Sequence, residues 1–160
     1  MAKKNSKKKN KKFPFKINIT KKMAKTATLL VVSTLIAKVM KIGIVKRVHL
    51  HIVVGLSDGT VLYEKSIGKR KKWENNYRSV ARSKFNDTVK TGEPTRRIQS
   101  ESPHLASGKF PYYGSWIDKQ NGIVVAASGV EGYWDETFSK IIINVLMAIV
   151  YRKQEQLLAA

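Results

Sequence analysis

The chain has 160 residues, which is the size of one compact domain with a tail. Its 31 lysines and arginines outnumber its 11 aspartates and glutamates, so the formal net charge at pH 7 is +20. A hydrophobic content of 42% excludes a wholly disordered chain. The lack of cysteine excludes a disulfide scaffold, a thiol nucleophile and any zinc or iron–sulfur site that needs cysteine ligands.

The positive charge is concentrated at the N-terminus, since the first 57 residues contain 15 lysines and arginines and no acidic residue. We predict a disordered lysine-rich arm over residues 1–26, because like charges repel and few apolar side chains are available to order it. Such an arm would contact a polyanion, foremost RNA or a ribonucleoprotein, through release of counterions. The alternative is a solubilising or import segment. The lysines assigned to the polyanion contact are Lys3, Lys4, Lys7, Lys8, Lys9, Lys11, Lys12 and Lys16.

An apolar run at Ala27–Ala37 predicts an amphipathic helix, because Thr34, Lys38 and Lys41 recur at helical spacing and Gly43 can end the helix. The run is shorter than the roughly 20 residues that cross a bilayer. It also lies too far from the N-terminus for a secretory signal. We therefore predict no transmembrane segment and an intracellular protein, cytoplasmic or organellar. A targeting or membrane-surface role for this segment is the alternative.

Two hairpins follow from the strand and turn patterns. Val48–Val54 and the run from Thr60 to Ser66 flank an Asp-Gly turn, while Tyr112–Asp118 and Gly122–Ser128 flank an Asn-Gly turn. Asp-Gly and Asn-Gly are favoured in tight turns because they tolerate a left-handed backbone. The sequence therefore predicts two antiparallel strand pairs.

Helices separate and follow these hairpins. Apolar and aromatic residues spaced three and four apart between Trp73 and Thr88 predict a central helix that ends at Gly92. The stretch 93–109 reads as a loop with one helical turn, and a final helix runs from Asp135 to Leu158. The predicted fold is α+β over residues 27–158: an antiparallel sheet built from two hairpins, covered by an N-terminal, a central and a C-terminal helix.

Several local strings carry a family resemblance. The string KIGIVKRVHLHIVVGLSDGTVLYEK is followed by a helix that opens at Trp73 and contains Arg78, Val80, Arg82 and Phe85. The strings HLASGKFPYYGSW and GIVVAASGVEGYWDE come later. Together, over residues 27–150, they resemble an uncharacterised family within the superfamily of small HbpS/GlcG-like domains, some of which are labelled haem-degrading.

This resemblance implies a profilin-like α+β domain that self-associates and binds haem or another small molecule. The downstream Asp of the family pattern matches Asp135. Two features depart from the pattern: Ser107-Gly108-Lys109 replaces the usual Gly-Gly before Phe-Pro, and the lysine-rich arm is not part of it.

Two histidines are candidate ligands. His49 and His51 are two positions apart on a predicted strand, so their side chains share a face. Two imidazoles could ligate a metal or a haem iron. The alternative is an ordinary solvent-facing or hydrogen-bonded pair, because no third ligand lies nearby in the sequence. His104, in the polar loop, is interpreted as a surface residue.

A basic cluster is the candidate anion site. Arg78 and Arg82 lie four residues apart on one helix face and would repel each other without a partner. A bound anion, or a carboxylate such as Asp87 or Glu93, would relieve that repulsion, and guanidinium groups suit oxyanions. A plain solvated face is the alternative. The anion-binding candidates are Lys71, Lys72, Arg78, Arg82, Arg96 and Arg97.

No catalytic residue is assigned, because the sequence contains no nucleophile elbow, phosphate loop or dinucleotide fingerprint. The carboxylates Glu131, Asp135 and Glu136 are interpreted as capping and dipole partners of the last helix. Tyr112 and Trp116 are interpreted as packing residues.

The sequence thus predicts a non-enzymatic, self-associating small-ligand or interaction module whose arm contacts a polyanion. One alternative is a haem- or metal-binding protein with degradative or sensor activity that uses His49 and His51. The other is an organelle-targeted or membrane-surface accessory protein.

Overall fold

The computed structural model describes residues 18–47, 49–69, 71, 73, 75–107 and 112–159. Within these ranges, four strands form one antiparallel sheet in the order β2-β1-β4-β3. The strands are β1 (Leu50–Leu56), β2 (Val61–Ile67), β3 (Ser115–Asp118) and β4 (Ile123–Ser128). The helices are α1 (Lys21–Val31), which continues through a π-helical turn (Val32–Ile36) into α2 (Ala37–Lys41), then α3 (Tyr77–Thr91), α4 (Thr95–Glu101) and α5 (Gly132–Leu158).

Both predicted hairpins are present, which confirms the α+β class and the antiparallel sheet. The Asp58 carboxylate accepts the Thr60 N–H at 2.8 Å in the first turn, where Gly59 has φ of 91°. In the second turn, Gly122 has φ of 65° and Asp118 accepts backbone N–H groups from the turn. The tight turns form where the glycines allow a left-handed backbone.

Helices cover both faces of the sheet. One face bears the larger core, in which Leu50, Ile52 and Val54 of β1 meet α1 and α5. The opposite face packs Val53 against Phe85 of α3. Because strands β1 and β4 are buried on both faces, they are almost continuously apolar rather than alternating.

The domain begins earlier than the predicted start at residue 27. Helix α1 starts at Lys21 because the Thr20 hydroxyl accepts the Met23 N–H at 3.3 Å and caps the helix. Met23 and Ala24 are buried in the core. Residues 18–26 are thus part of the folded unit, while the arm lysines from Lys3 to Lys16 lie outside the described residues.

The helix Lys21–Lys41 has the length and apolar composition of a membrane span, and it is the only described helix that does. Its apolar side chains Ala27, Val31 and Ile36 are buried in the core, and α1 packs on α5 and β2. A helix buried in a protein core can have the same length and apolar composition as a membrane span.

Other boundaries also differ from the prediction, and the central helix begins at Tyr77 rather than at Trp73. The stretch 93–109, which was predicted to be a loop with one helical turn, contains all of α4 and a 3₁₀ turn at Pro103–Leu105. Pro94 starts α4, and Arg97 stabilises it through ion pairs with Glu93 and Glu101, one turn away on either side. Strand β3 begins only at Ser115. Helix α5 begins at Gly132, three residues before Asp135.

Candidate functional site

The site lies on the sheet face that α3 covers, and its groups are positioned by that helix. The Asn76 side chain accepts the Ser79 N–H at 3.1 Å and starts α3, while Gly92 ends it with φ of 70°. Between these caps, Arg78 and Arg82 are exposed, whereas Lys84 is buried. The helix therefore offers a basic outer side and one inward lysine.

Glu64 of β2 holds the two arginines together. Arg82 donates two hydrogen bonds to the Glu64 carboxylate, from Nε at 2.6 Å and from Nη2 at 3.0 Å. Arg78 adds a third, from Nη2 at 3.2 Å. The hydrogen bond from Arg82 is the main reason that the pKa of Glu64 lies below its ordinary value. Repulsion between the arginines is therefore relieved by Glu64, and not by Asp87 or Glu93.

The other described anion candidates do not join this pair. Arg96 pairs with Glu136 at 3.1 Å and lies over the Tyr113 ring, and Arg97 pairs with Glu93 and Glu101. Lys71 is exposed, and Lys72 lies outside the described residues.

The two histidines do not form an open ligand pair. His51 is 1% exposed, its Nδ1 lies 2.8 Å from the Ser66 hydroxyl, and its ring meets Trp73 edge-on. His49 precedes β1 and is half-buried. Among the described residues, no group of three or more His, Asp or Glu side chains could hold a metal. The ring of His51 is buried as it is placed, so the histidine pair does not present two open ligands to a haem iron.

A buried ion pair lies behind α3. The Lys84 ammonium donates to the Ala127 carbonyl at 2.8 Å and to the Asp135 carboxylate at 3.2 Å. Burial lowers the pKa of Lys84, and the charge of Asp135 opposes that shift. Burial also raises the pKa of Asp135 to about 6, again against its partner's charge.

The sequence pattern predicted a helix-capping role for Asp135 and did not point to Lys84. Asp135 does accept a backbone N–H near the start of α5, that of Val130, at 3.3 Å. The available signal for Lys84 was its position on the apolar side of α3, between Ala81 and Thr88. The other two carboxylates also have partners: Glu136 pairs with Arg96 and Lys140, and Glu131 accepts the Lys46 N–H.

Two adjoining depressions border α3. The first, which we call the α3–α4 cavity, has a volume of about 290 Å³, and its wall includes Lys84, Asp87, Val80, Ile98, Gln99 and Tyr112. The second, which we call the arginine hollow, is a more open depression of about 410 Å³ whose lining includes Arg78, Arg82, Asn76, Asn86, Ser79 and Ser83. Ser79, Ser83 and Ser107 line both, so the two spaces adjoin, and the hydroxyls of Ser83 and Ser107 are hydrogen-bonded at 2.6 Å where they meet.

No protein-family model and no curated protein sequence matches the chain. Among solved structures, HbpS is similar with a TM-score of 0.59 at 18% identity, over 84% of this chain and 94% of HbpS. Protein ORFY of Klebsiella pneumoniae, described under family model DUF336, gives a TM-score of 0.54 at 14% identity, over 78% of this chain and 88% of ORFY. Protein Ybr137w gives 0.58 at 12% identity, over 84% of this chain and 80% of that protein. At these identities the likeness concerns the backbone, and the chain has the fold of HbpS and the GlcG-like domains, as the resemblance of its sequence strings predicted.

Proposed function

We propose that the protein is a non-enzymatic binding module that takes a small ligand in the α3–α4 cavity. The supporting observation is that two buried charged residues, Lys84 and Asp87, lie in the cavity wall. A few polar groups set among apolar side chains in a concave space are typical of ligand sites. The described wall contains serines but no histidine that could activate them, which favours binding over acyl transfer.

A cavity-filling variant tests this proposal. Ala106 lines the cavity from a loop, so Ala106→Trp should fill the space with little effect on the helices. The matched control is Ala148→Trp, because Ala148 is exposed on α5 outside the cavity. Protein purified from its native source should retain a bound small molecule in non-denaturing mass spectrometry, and so should the control. Equal retention by Ala106→Trp, or no bound molecule in the wild type, would overturn the proposal.

The cationic N-terminus supports a second part of the function, contact with a polyanion such as RNA. Positive charge continues from the arm into α1, where Lys21, Lys22 and Lys25 are exposed. Binding to RNA through these charges should weaken steeply with salt, by a slope of roughly 0.7 to 0.9 per neutralised phosphate. Replacing the eight arm lysines by glutamine should flatten that slope. Tight RNA binding that does not weaken with salt, or that is unchanged after the lysines are replaced, would contradict the proposed contact with a polyanion.

The haem alternative rests on the fold shared with HbpS, while the histidine pair gives it no open ligands. Titration with haem decides it: a Soret band that is lost in the His49→Ala/His51→Ala double variant would favour haem over the proposed ligand. Self-association and N-terminal targeting stay predictions. Sedimentation at two concentrations tests the first, and mass spectrometry of the native N-terminus tests the second.

A further inference from the structure

The arginine hollow is lined by residues whose side chains can donate hydrogen bonds. The guanidinium groups of Arg78 and Arg82 also donate to Glu64, which does not line the hollow, and the Ser83 hydroxyl is paired with that of Ser107. Asn76 and Asn86 add side-chain amides. None of the described lining residues is acidic. A depression with this composition favours an oxyanion over a cation or an apolar molecule.

The charges around the hollow do not cancel. Two arginines share the single carboxylate of Glu64, which leaves one positive charge in excess. Arg82 is held in a bidentate contact, but Arg78 contributes only its Nη2 and is 45% exposed. The remaining Arg78 donors therefore face no acceptor among the described residues. The N-terminus of α3, next to the hollow at Asn76, adds the positive end of a 15-residue helix.

The hollow also adjoins a space of different chemistry. It shares Ser79, Ser83 and Ser107 with the α3–α4 cavity, whose wall adds Val80 and Ile98. A ligand that fills both spaces needs a charged head group and a partly apolar body.

We propose that the arginine hollow binds the phosphate group of a small phosphate ester whose organic part occupies the α3–α4 cavity. The inference rests on the proposed small-ligand function and specifies its ligand class. A phosphate monoester has three free oxygens and can accept more hydrogen bonds than a carboxylate. The Arg78 donors that do not contact Glu64 can supply part of that demand. Of the six anion candidates in the sequence, this selects Arg78 and Arg82.

The test uses the full-length ¹⁵N-labelled protein at constant ionic strength, titrated separately with inorganic phosphate, phenyl phosphate and benzoate. We expect saturable amide shifts at Ser79, Ser83 and Asn86, with phenyl phosphate binding more tightly than inorganic phosphate. Arg78→Gln should weaken phenyl phosphate binding about tenfold, since it removes charged hydrogen bonds. Arg97→Gln is the matched control, because it removes the same charge outside the hollow and should leave binding unchanged.

A second pair of variants changes charge at almost constant shape. Asn86→Asp places a carboxylate in the hollow and should weaken phenyl phosphate binding at least as much as Arg78→Gln. Asn144→Asp, at an exposed position on α5, is its control.

Several outcomes would overturn the inference: no saturable shift on α3, equal weakening by Arg97→Gln, or benzoate binding as tightly as phenyl phosphate. Binding of a short RNA without any binding of phenyl phosphate would overturn it too. If phosphate does not bind but Ala106→Trp still loses its ligand, the phosphate inference fails and the cavity function stands. If inorganic phosphate binds at the hollow and phenyl phosphate binds no better, the placement of the ester's organic part in the α3–α4 cavity fails.

Discussion

At the scale of single residues, the pair formed by Lys84 and Asp135 joins three elements. Lys84 belongs to α3, its acceptor Ala127 belongs to β4, and Asp135 belongs to α5. The backbone of Gly114 lies against this ion pair, so a Cβ added to Gly114 would lie only 2.6 Å from the Lys84 Nζ. Each charge is stabilised by the other and by hydrogen bonds, which offsets the cost of removing both from water.

Removing one member of this pair should be more harmful than removing both. Asp135→Leu leaves a buried ammonium without its counter-charge and without the carboxyl oxygen that accepts its hydrogen bond, so we expect a loss of about 3–5 kcal/mol in the free energy of unfolding. The Lys84→Met/Asp135→Leu double variant, which leaves no buried charge, should recover most of that loss. Urea denaturation measures both. A double variant that is less stable than Asp135→Leu would contradict this view of the pair.

The same carboxyl predicts a pH dependence. Burial raises the pKa of Asp135 from its ordinary 3.8 to about 6, so the folded state holds this proton more tightly than the unfolded state. Its contribution to stability is fully present below about pH 3.8 and is lost as the pH rises through about 6. NMR titration of the carboxyl should show a midpoint near 6. Asp58, whose pKa is lowered by the hydrogen bond from the Thr60 N–H, should titrate below 3.8 in the same experiment.

At the scale of elements, the first helix shows how local hydrogen bonds set both an end and an irregularity. Thr20 caps α1, and the hydroxyls of Ser33 and Thr34 both donate to the Leu30 carbonyl at the π-helical turn. Side-chain hydroxyls that bond back to the helix compete with its regular ladder. The polar positions Thr34, Lys38 and Lys41 are all exposed, as their spacing predicted.

The cap of this helix can be tested with two threonines. Thr20→Ala removes the acceptor for the Met23 N–H and should cost about 1 kcal/mol in the free energy of unfolding. Thr26→Ala, in the exposed interior of the same helix, should be neutral or slightly stabilising because alanine is the better helix former. Thermal unfolding of both variants checks the prediction. Equal destabilisation by the two would show that the cap hydrogen bond contributes nothing.

At the scale of the whole molecule, the charge divides between an N-terminal segment and a domain in which many charges have partners. The described domain pairs Arg78 and Arg82 with Glu64, and Arg96 with Glu136. Between residues 18 and 57 no acidic residue exists to pair with lysine. Contact with a polyanion is therefore a property proposed for the N-terminal segment, whereas the arginine hollow keeps a small local excess.

The domain boundary has a direct consequence for folding. A chain that begins at residue 27 lacks Met23 and Ala24, which are 8% and 0% exposed in the core. We expect it to lose at least about 2 kcal/mol relative to a chain that begins at Asn18, because buried side chains of this size contribute that much. Urea denaturation of the two chains measures the difference. Equal stability would place the boundary at residue 27.

The amino-acid sequence by itself determined the turns, the central helix and the antiparallel sheet. Asp58-Gly59 and Gly92 set a turn and a helix end through backbone preferences that act over a few residues. The shared fold with HbpS was likewise predictable from strings that follow one another along the chain.

Only the tertiary structure decided which charged groups meet. Arg82 and Glu64 are 18 residues apart in the sequence, and Lys84 and Asp135 are 51 apart. Spacing along one helix shows that two arginines share a face, but it does not show which carboxylate the neighbouring strand presents to them. The adjacency of the arginine hollow and the α3–α4 cavity also depends on how α3 and α4 pack. Such contacts depend on long-range packing, which no local pattern in the sequence encodes.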